Sequence, residues 1–259
     1  MNPARLYLGA LALALTACEV HFEGETPEEM VSICQPVMFE DSPFTQCTAI
    51  PGEHQVGTDL APPTSDRPYR SLRELSEALP DDDIVFAMNA GMYDDEGQPI
   101  GYFVEDGLRL TMLNENDGPG NFHLLPNGVF FGEPGGQWMV RDTQAFGDTV
   151  DERPAFATQS GPMLVVDGEL HPAFDPDGES RKIRNAVGVD PSGRAHFIIT
   201  EAPVSFGKLA RYFRDVLNCR NALFLDGSVS AIWDVPKGRV DTGVPIGPMI
   251  VVRTTETEK

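Results

Sequence analysis

Short apolar runs separated by polar or glycine-containing breaks dominate this chain. Each run has the length of a β-strand and is bounded by Gly, Pro, Asn or Asp. Together they predict strands at residues 84–88, 100–104, 108–113, 128–131, 138–141 and 163–166, and within 185–200, 221–227 and 248–253. Asp167-Gly168 and the Asp-Pro-Ser-Gly sequence at 190–193 are typical of turns between paired strands.

Two segments have apolar residues at helical spacing instead. Leu72, Leu75 and Leu79 lie on one face, Ser71 is a suitable N-cap, and Pro80 ends the pattern. The second apolar face consists of Leu209, Tyr212, Phe213, Val216 and Leu217. Because strands outnumber helices, we expect an α+β fold with a mixed, mainly antiparallel sheet and a few packed helices in a single domain.

The first 18 residues have the features of an export signal. Arg5 precedes an apolar run at 6–15, which is too short to span a bilayer. The sequence Leu-Thr-Ala-Cys at 15–18 resembles the lipobox of bacterial lipoproteins, which implies cleavage before Cys18 and lipidation of its sulfur. An ordinary signal peptide with an accidental cysteine is the alternative.

This reading divides the chain into three parts. We predict a signal peptide at 1–17, the lipidated cysteine with an acidic tether at 18–33, and one domain at 34–259. The expected location is the bacterial cell envelope, with the domain in the periplasm or outside the cell. The lipid anchor would be the only contact with the membrane.

Charge and cysteine content agree with export. The net charge of −21 disfavours binding to nucleic acid, and we expect a monomer. Cys34 and Cys47 are a possible disulfide pair in an oxidising compartment, although pairing cannot be derived from sequence alone. Cys219 lacks an obvious histidine partner, so we interpret it as a small buried residue.

Polar side chains beside glycine recur where predicted strands end. Asn89 and Gly91 follow the run at 84–88, and Asp226-Gly227 follows a buried run near residue 224. Turns explain Asp-Gly pairs, but Gln-Ser at 159–160 and Arg-Asn at 184–185 are not turn formers. The pattern indicates a site assembled from several strand ends.

The same segments, taken in order, resemble a known family. They read AMNAGMY, PIGYFVEDG, PNGVFF, ATQSGPMLVVDGEL, IRNAVGVDPSGRAHFIIT and NALFLDGSVSA. Over residues 84–252 they are similar to the phosphodiester glycosidase domain family, in its bacterial branch, whose relatives include the mammalian lysosomal uncovering enzyme. The resemblance implies hydrolysis of a sugar-1-phosphodiester, which frees the sugar from a phosphate monoester.

That chemistry requires a carboxylate near the anomeric carbon and positive charge or donors near the phosphate. Asp226 is the best carboxylate, and Arg184 is the best phosphate ligand because a guanidinium can bind two oxygens. Asn89 is the third catalytic candidate, as a ligand for hydroxyls or water. The expected substrate-binding residues are Gly91, Glu105, Gln159, Ser160, Asn185, Gly227, Ser228 and Ser230. Glu105 is also a candidate second carboxylate.

Alternatives remain open at this point. Ser228 and Val229 stand where family members often have glycine, which favours a non-catalytic glycan-binding envelope lipoprotein as the second hypothesis. No G-x-S-x-G sequence supports a serine nucleophile. No pair of histidines has metal-ligand spacing, and residues 175–180 lack the full pattern of a calcium loop. We therefore predict no cofactor and no metal ligand, and leave a divalent cation open.

Overall fold

The computed structural model describes residues 30–80, 83–132, 136–150, 152–227 and 229–255. The predicted signal peptide, Cys18 and nearly all of the tether lie outside the described residues, as does Ser228. In chain order the strands are β1 (Cys34–Phe39), β2 (Ser42–Ala49), β3 (His54–Asp59), β4 (Ile84–Asn89), β5 (Phe103–Glu105), β6 (Leu108–Thr111), β7 (Gly128–Gly132), β8 (Trp138–Asp142), β9 (Phe156–Ser160), β10 (Met163–Val166), β11 (Glu169–Leu170), β12 (Asn185–Val189), β13 (Ala195–Thr200), β14 (Asn221–Phe224), β15 (Ile232–Asp234), β16 (Arg239–Val240) and β17 (Met249–Thr254). The helices are α1 (Leu72–Ala78), α2 (Thr143–Thr149) and α3 (Phe206–Arg211).

The strands form three sheets, and neighbouring strands in each sheet are antiparallel. The first sheet has the order β1-β2-β13-β12-β14-β10-β11. The second has the order β16-β15-β4-β17-β3, and the third has the order β6-β5-β9-β7-β8. The α+β class with a mainly antiparallel sheet is therefore confirmed.

One core joins the three sheets. Phe197 of the first sheet packs against Phe86 of the second, with ring centroids 5.2 Å apart. The same ring packs against Phe130 of the third sheet at 5.7 Å. Edge-to-face contacts of this kind add to the gain from burying the rings. The shared core makes the folded region a single domain, as predicted.

The first predicted helix forms as expected. Ser71 Oγ accepts a hydrogen bond from Glu74 N at 3.1 Å, and Leu72 and Leu75 are buried. This side-chain acceptor satisfies one of the free N–H groups at the helix start.

The second predicted helix is α3 followed by a π-helical turn at Tyr212–Val216. Leu217 N donates to Tyr212 O, five residues back, so the apolar face is rotated there. Leu209 and Phe213 are buried as predicted, but Val216 is 52% exposed. Its place on the buried face was therefore a wrong prediction.

The cysteines occupy two different environments. Cys34 and Cys47 lie opposite each other on β1 and β2 and form a disulfide, which is the pair expected from the sequence. Cys219 is buried against Phe213 and Gly188, and burial raises the pKa of its thiol to about 12. A thiol with so high a pKa is a poor nucleophile, in agreement with the predicted packing role. Within the described ranges, no helix has the length and hydropathy to cross a membrane.

Candidate active site

The ends of strands from the first and second sheets meet at one place. Asn89 ends β4, Asn185 begins β12, and Asp226 follows β14 by two residues. Asp226 N donates to Ala90 O at 3.1 Å, and Leu225 N donates to Asn185 O at 3.1 Å. The three polar residues that the sequence placed at strand ends are thus brought together.

Asn89 connects three segments of this cluster. Its Nδ2 donates to Asp226 O at 2.8 Å, and its Oδ1 accepts from Ala231 N at 2.9 Å. Asn185 Nδ2 donates to the same Oδ1 at 3.1 Å and to Asn89 O at 2.9 Å. Since Asn89 is fully buried, its side chain holds the loop at 225–231 in place, and we assign it a positioning role.

Asn185 and Ser230 complete the network. Ser230 Oγ donates to Asn185 Oδ1 at 3.2 Å or to Gly227 O at 3.3 Å. Asn185 is completely buried, and both ends of its amide are engaged. Buried amides whose hydrogen bonds are all satisfied make a local structure rigid. The network therefore fixes the backbone that carries Asp226.

Gly227 is needed because its surroundings are crowded. A Cβ at this position would lie 2.4 Å from the ring of Phe224 and 3.2 Å from Arg184 Cα. The residue has no positive φ, so it is the missing side chain that matters here. The close packing sets the path of the chain just after Asp226.

Tyr93 and Arg70 share the rim of this loop, and the sequence did not single them out. Tyr93 Oη donates to Pro245 O at 2.6 Å, and the Arg70 guanidinium lies 5.4 Å from the centre of the Tyr93 ring. Burial, and then the charge of Asp226, raise the pKa of Tyr93 to about 12. The phenol therefore stays protonated beside the carboxylate. Tyr93 directly follows the Asn-Ala-Gly-Met stretch, and this position is the sequence feature that could have indicated its place beside the site.

A cavity of about 240 Å³ adjoins the same loop. Gly227 and Ser230 form one side, while Ser71, Asp241 and Val244 contribute to the others. The cavity is smaller than the range of about 300–1,000 Å³ common for drug-sized ligands. Its size favours one small ring over a long polymer.

Arg184 is 2% exposed and lies on the opposite side of the strand end from the Asn185 side chain. Its Nε donates to Val204 O at 3.0 Å, its Nη2 donates to Ser180 O at 2.9 Å, and its Cζ lies 3.6 Å from the centre of the Phe206 ring. Burial lowers its pKa to about 10, so the side chain remains a cation at neutral pH. Within the described ranges it has no carboxylate partner, and Nη1 makes no hydrogen bond.

The predicted roles of Gly91 and Gln159 are changed by the structure. Gly91 N donates to Thr158 Oγ1 at 3.0 Å, and a Cβ at Gly91 would lie 2.2 Å from Gln159 O. Gly91 thus permits close contact between the end of β4 and β9. Gln159 uses Oε1 to accept from Tyr102 N at 2.8 Å and Nε2 to donate to Asn114 O at 2.8 Å. Because this buried amide is fully engaged, its predicted contact with substrate is corrected to a structural role.

Ser160 and Glu105 also differ from expectation. Ser160 is completely buried on β9, and its hydroxyl has no hydrogen-bond partner, so it is not accessible to a substrate. Glu105 ends β5, and the charges that raise its pKa are those of Asp59 and Asp106. It therefore belongs to a different acidic group from Asp226, and its role as a second carboxylate stays a prediction.

Comparison with known proteins identifies the family of this chain. The family model for phosphodiester glycosidases matches residues 82–253. The chain belongs to the phosphodiester glycosidase family, whose members are hydrolases of the glycosidase type. Within the described ranges, no group of three or more His, Cys, Asp or Glu residues is arranged to hold a metal ion.

Individual relatives share part of the chain. The uncharacterized protein YigE of Escherichia coli strain K12 is 37% identical over 150 residues, which are 58% of this chain and 58% of that protein. The matched part therefore spans little more than half of that curated relative. The catalytic domain of zebrafish N-acetylglucosamine-1-phosphodiester alpha-N-acetylglucosaminidase, auto-inhibited by its pro-peptide, has a TM-score of 0.57 at 15% identity, covering 85% of this chain and 81% of that one. A hypothetical protein from Synechocystis has a TM-score of 0.56 at 15% identity, covering 86% and 61%.

Proposed function

We propose that this chain is an exported, lipid-anchored hydrolase that cleaves the glycosidic bond of a sugar-1-phosphodiester and leaves a phosphate monoester. The observation that supports this most is the loop after β14. In a chain of this family, Asn89 holds the backbone carbonyl of Asp226 at 2.8 Å, beside a cavity suited to one ring. Glycoside cleavage requires a carboxylate beside the anomeric carbon, and these hydrogen bonds fix the backbone that carries one.

In the proposed reaction the carboxylate of Asp226 stabilises the positive charge that develops on the anomeric carbon. It acts there as nucleophile, as base towards water or as electrostatic partner. Gly227 and Ser230, which line the cavity, lie where the sugar ring would contact the loop. Asn89 and Asn185 act through the loop, as positioning residues.

The departing phosphate needs less protonation than an alcohol because it is already a stable anion. Positive charge on the protein can therefore replace a strong general acid. Arg184 is the proposed source; because it is a buried cation packed on the Phe206 ring, it acts on the phosphate through its charge and not as a direct ligand. Arg70 is a second cation, which lies against Tyr93, the phenol that also feels the charge of Asp226. Local positive charge of this kind is needed in a chain of net charge −21.

The location belongs to the same proposal. The lipobox-like sequence ending at Cys18 supports a lipoprotein of the cell envelope whose domain meets its substrate outside the cytoplasm. Replacing Cys18→Ser should move the protein from the membrane fraction to the soluble fraction. An unchanged membrane fraction would rule out lipid anchoring at this cysteine.

The reaction is tested by following which bond breaks. The full chain in detergent is incubated with an N-acetylglucosamine-1-phosphodiester in water enriched in oxygen-18, and the phosphate product is analysed by mass spectrometry. Cleavage between the sugar carbon and oxygen leaves no oxygen-18 in the phosphate monoester. Oxygen-18 in the phosphate would identify a phosphodiesterase and contradict the glycosidase. An aryl glycoside without phosphate shows whether the phosphate is required.

A non-catalytic glycan-binding lipoprotein is the second candidate. It is favoured by Ser228 and Val229, which stand where glycines are common in the family; Val229 lines the cavity. This candidate predicts calorimetric binding of a sugar phosphate with no release of sugar over days. Turnover that disappears in Asp226→Asn would exclude it.

A further inference from the structure

A second polar group lies away from the Asp226 loop. Asp59 ends β3, Glu105 ends β5, and Tyr69 lies shortly before α1. The two acids are brought together because Thr58 Oγ1, one residue earlier, donates to Val104 O at 2.5 Å. This hydrogen bond joins the second sheet to the third sheet at their shared border.

Tyr69 is held against the same place. Its backbone N donates to Leu60 O at 2.8 Å, directly after Asp59. The backbone N–H of Leu60 in turn lowers the pKa of both Asp59 and Glu105, so both carboxyl groups approach one amide. Three side chains with oxygen atoms therefore converge around Leu60.

Two of these oxygen atoms are buried without a partner. Tyr69 is 2% exposed, and its hydroxyl makes no hydrogen bond. Oε2 of Glu105 is also buried and unpaired. Leaving such an atom unsatisfied costs about 1–3 kcal/mol, so a buried orphan atom calls for a ligand, an ion or a water.

The charges of the two acids act on each other and on the Tyr69 phenol. Burial, followed by the charge of Asp59, raises the pKa of Glu105 to about 7, and burial raises the pKa of Asp59 to about 6. Burial and the charges of both acids raise the pKa of Tyr69 to about 12. The phenol thus lies within the field of both carboxylates but forms no hydrogen bond with either.

We propose that Asp59, Glu105 and Tyr69 form a binding site for one hard cation of the Ca²⁺ class. The donor set consists of oxygen atoms, which suits Ca²⁺ and not a metal that prefers nitrogen or sulfur. Ca²⁺ accepts irregular geometry and completes its shell with water or backbone carbonyls. Arg253, whose charge lowers the pKa of Asp59, already forms an ion pair with Asp83 at 2.9 Å.

The site has a defined relation to the candidate active site. Asp59 lies opposite Met249 on β17, and Met249 lies opposite Asn89 on β4. Two strand spacings amount to about 10 Å, so the cation would lie at the same sheet edge without touching the Asp226 loop. Its effect would be to tie β3 to β5, and the proposal does not depend on the proposed activity.

The test is a calorimetric titration of the chelator-treated full chain in detergent at pH 8. CaCl2 is the main probe, and MgCl2 and NaCl are run in parallel. We expect one Ca²⁺ per chain and a higher Tm at saturation. Glu105→Gln should weaken Ca²⁺ binding at least 10-fold, and Tyr69→Phe, which removes only the hydroxyl, should weaken it a few-fold. Asp167→Asn, in the exposed turn between β10 and β11, is the matched control and should bind within twofold of wild type.

Two results would overturn the proposal. One is the absence of stoichiometric binding of any of the three cations to folded wild-type chain. The other is equal Ca²⁺ affinity of wild type and Glu105→Gln. Glu105→Gln replaces a buried charge by a neutral group of the same size, so it should remain folded and keep the comparison valid.

Discussion

Asp-Gly pairs occur at several strand ends in this protein, and two of them have different surroundings. Asp167-Gly168 joins β10 to β11, with φ of 50° and 90°, and the Asp167 side chain is 79% exposed. Asp226-Gly227 follows β14 without positive φ, and Asp226 is half-buried. Its backbone is held by Asn89 Nδ2 and Ala90 O. The first pair makes a hairpin turn, and the second places a carboxylate.

Glycine serves a different purpose in each pair. A Cβ at Gly168 would meet nothing within 4 Å, so this glycine is needed for its backbone conformation. A Cβ at Gly227 would lie 2.4 Å from the Phe224 ring, so that glycine is needed for space. The contrast teaches that the neighbouring strand ends, and not the dipeptide, decide whether an Asp-Gly pair forms a turn or part of the candidate site. Three paired substitutions that compare the two loops are given in decreasing order of expected effect, followed by a pH measurement on an acid outside both loops.

The largest difference in stability is expected between the two glycines. Gly227→Ala forces a methyl group against a buried ring and should lower the free energy of unfolding by about 3 kcal/mol. Gly168→Ala meets only an unfavourable φ and should cost about 1 kcal/mol. Urea unfolding of both variants measures the difference. Equal losses would mean that the packing around Gly227 is not restrictive.

The second largest difference in stability is expected between the two asparagines that hold the loops. Asn89→Ala leaves buried groups at Asp226 and Ala231 without partners and should cost about 2 kcal/mol, with a loss of any hydrolysis. Asn221 Oδ1 accepts from Asp167 N at 2.9 Å in an exposed setting, so Asn221→Ala should cost about 0.5 kcal/mol. Chemical denaturation provides the comparison. A small effect of Asn89→Ala would remove the basis for its positioning role.

The arginines beside the two loops give a smaller contrast. Arg184→Lys keeps the charge but loses the fork that reaches Val204 and Ser180, and should cost about 1.5 kcal/mol. Arg220 is 74% exposed and lies 4.0 Å from Asp167, so Arg220→Lys should be neutral within about 0.5 kcal/mol. Thermal unfolding of the two variants measures this difference in stability. Unchanged stability of Arg184→Lys would mean that the hydrogen bonds of the guanidinium to Val204 and Ser180 do not stabilise the fold.

The pH dependence of stability probes an acid outside both loops. The pKa of Glu105 is raised from 4.5 to about 7 by burial, so the folded state keeps a proton that the unfolded state releases. Stability from this group is present below pH 4.5 and is lost as pH rises to about 7. With a chelator present, Glu105→Gln should show a shallower loss of Tm over this range than wild type. If Tm fell with pH equally in both proteins, a group other than Glu105 would be titrating over this range.

Local patterns were sufficient to predict much of the fold. The strand at 84–88, the capped helix after Ser71 and the hairpin at Asp167-Gly168 are set by neighbouring residues, so sequence reasoning found them. Strands β1 and β2 were missed because they are held by a disulfide and by pairing with β13 more than by apolar runs. Helix α2 was missed because it is short and rests on the Asp142 cap and one buried ring, Phe146.

The candidate site was predictable only in part. The strand ends that carry Asn89, Asn185 and Asp226 were found because polar residues interrupt buried runs there. The direction of the Gln159 side chain depends on partners such as Asn114, 45 residues away in sequence, so no local pattern could reveal its role. The acidic group at Asp59 and Glu105 likewise forms only when two sheets meet.

The most direct test of the account compares Asp226→Asn with Asp167→Asn. Both substitutions replace an aspartate of an Asp-Gly pair by its neutral isostere, and kcat/KM is measured for an N-acetylglucosamine-1-phosphodiester. The account predicts a loss of about 10³-fold for Asp226→Asn, typical of removing a catalytic carboxylate, and none for Asp167→Asn. Wild-type activity in folded Asp226→Asn would contradict the assignment of this carboxylate.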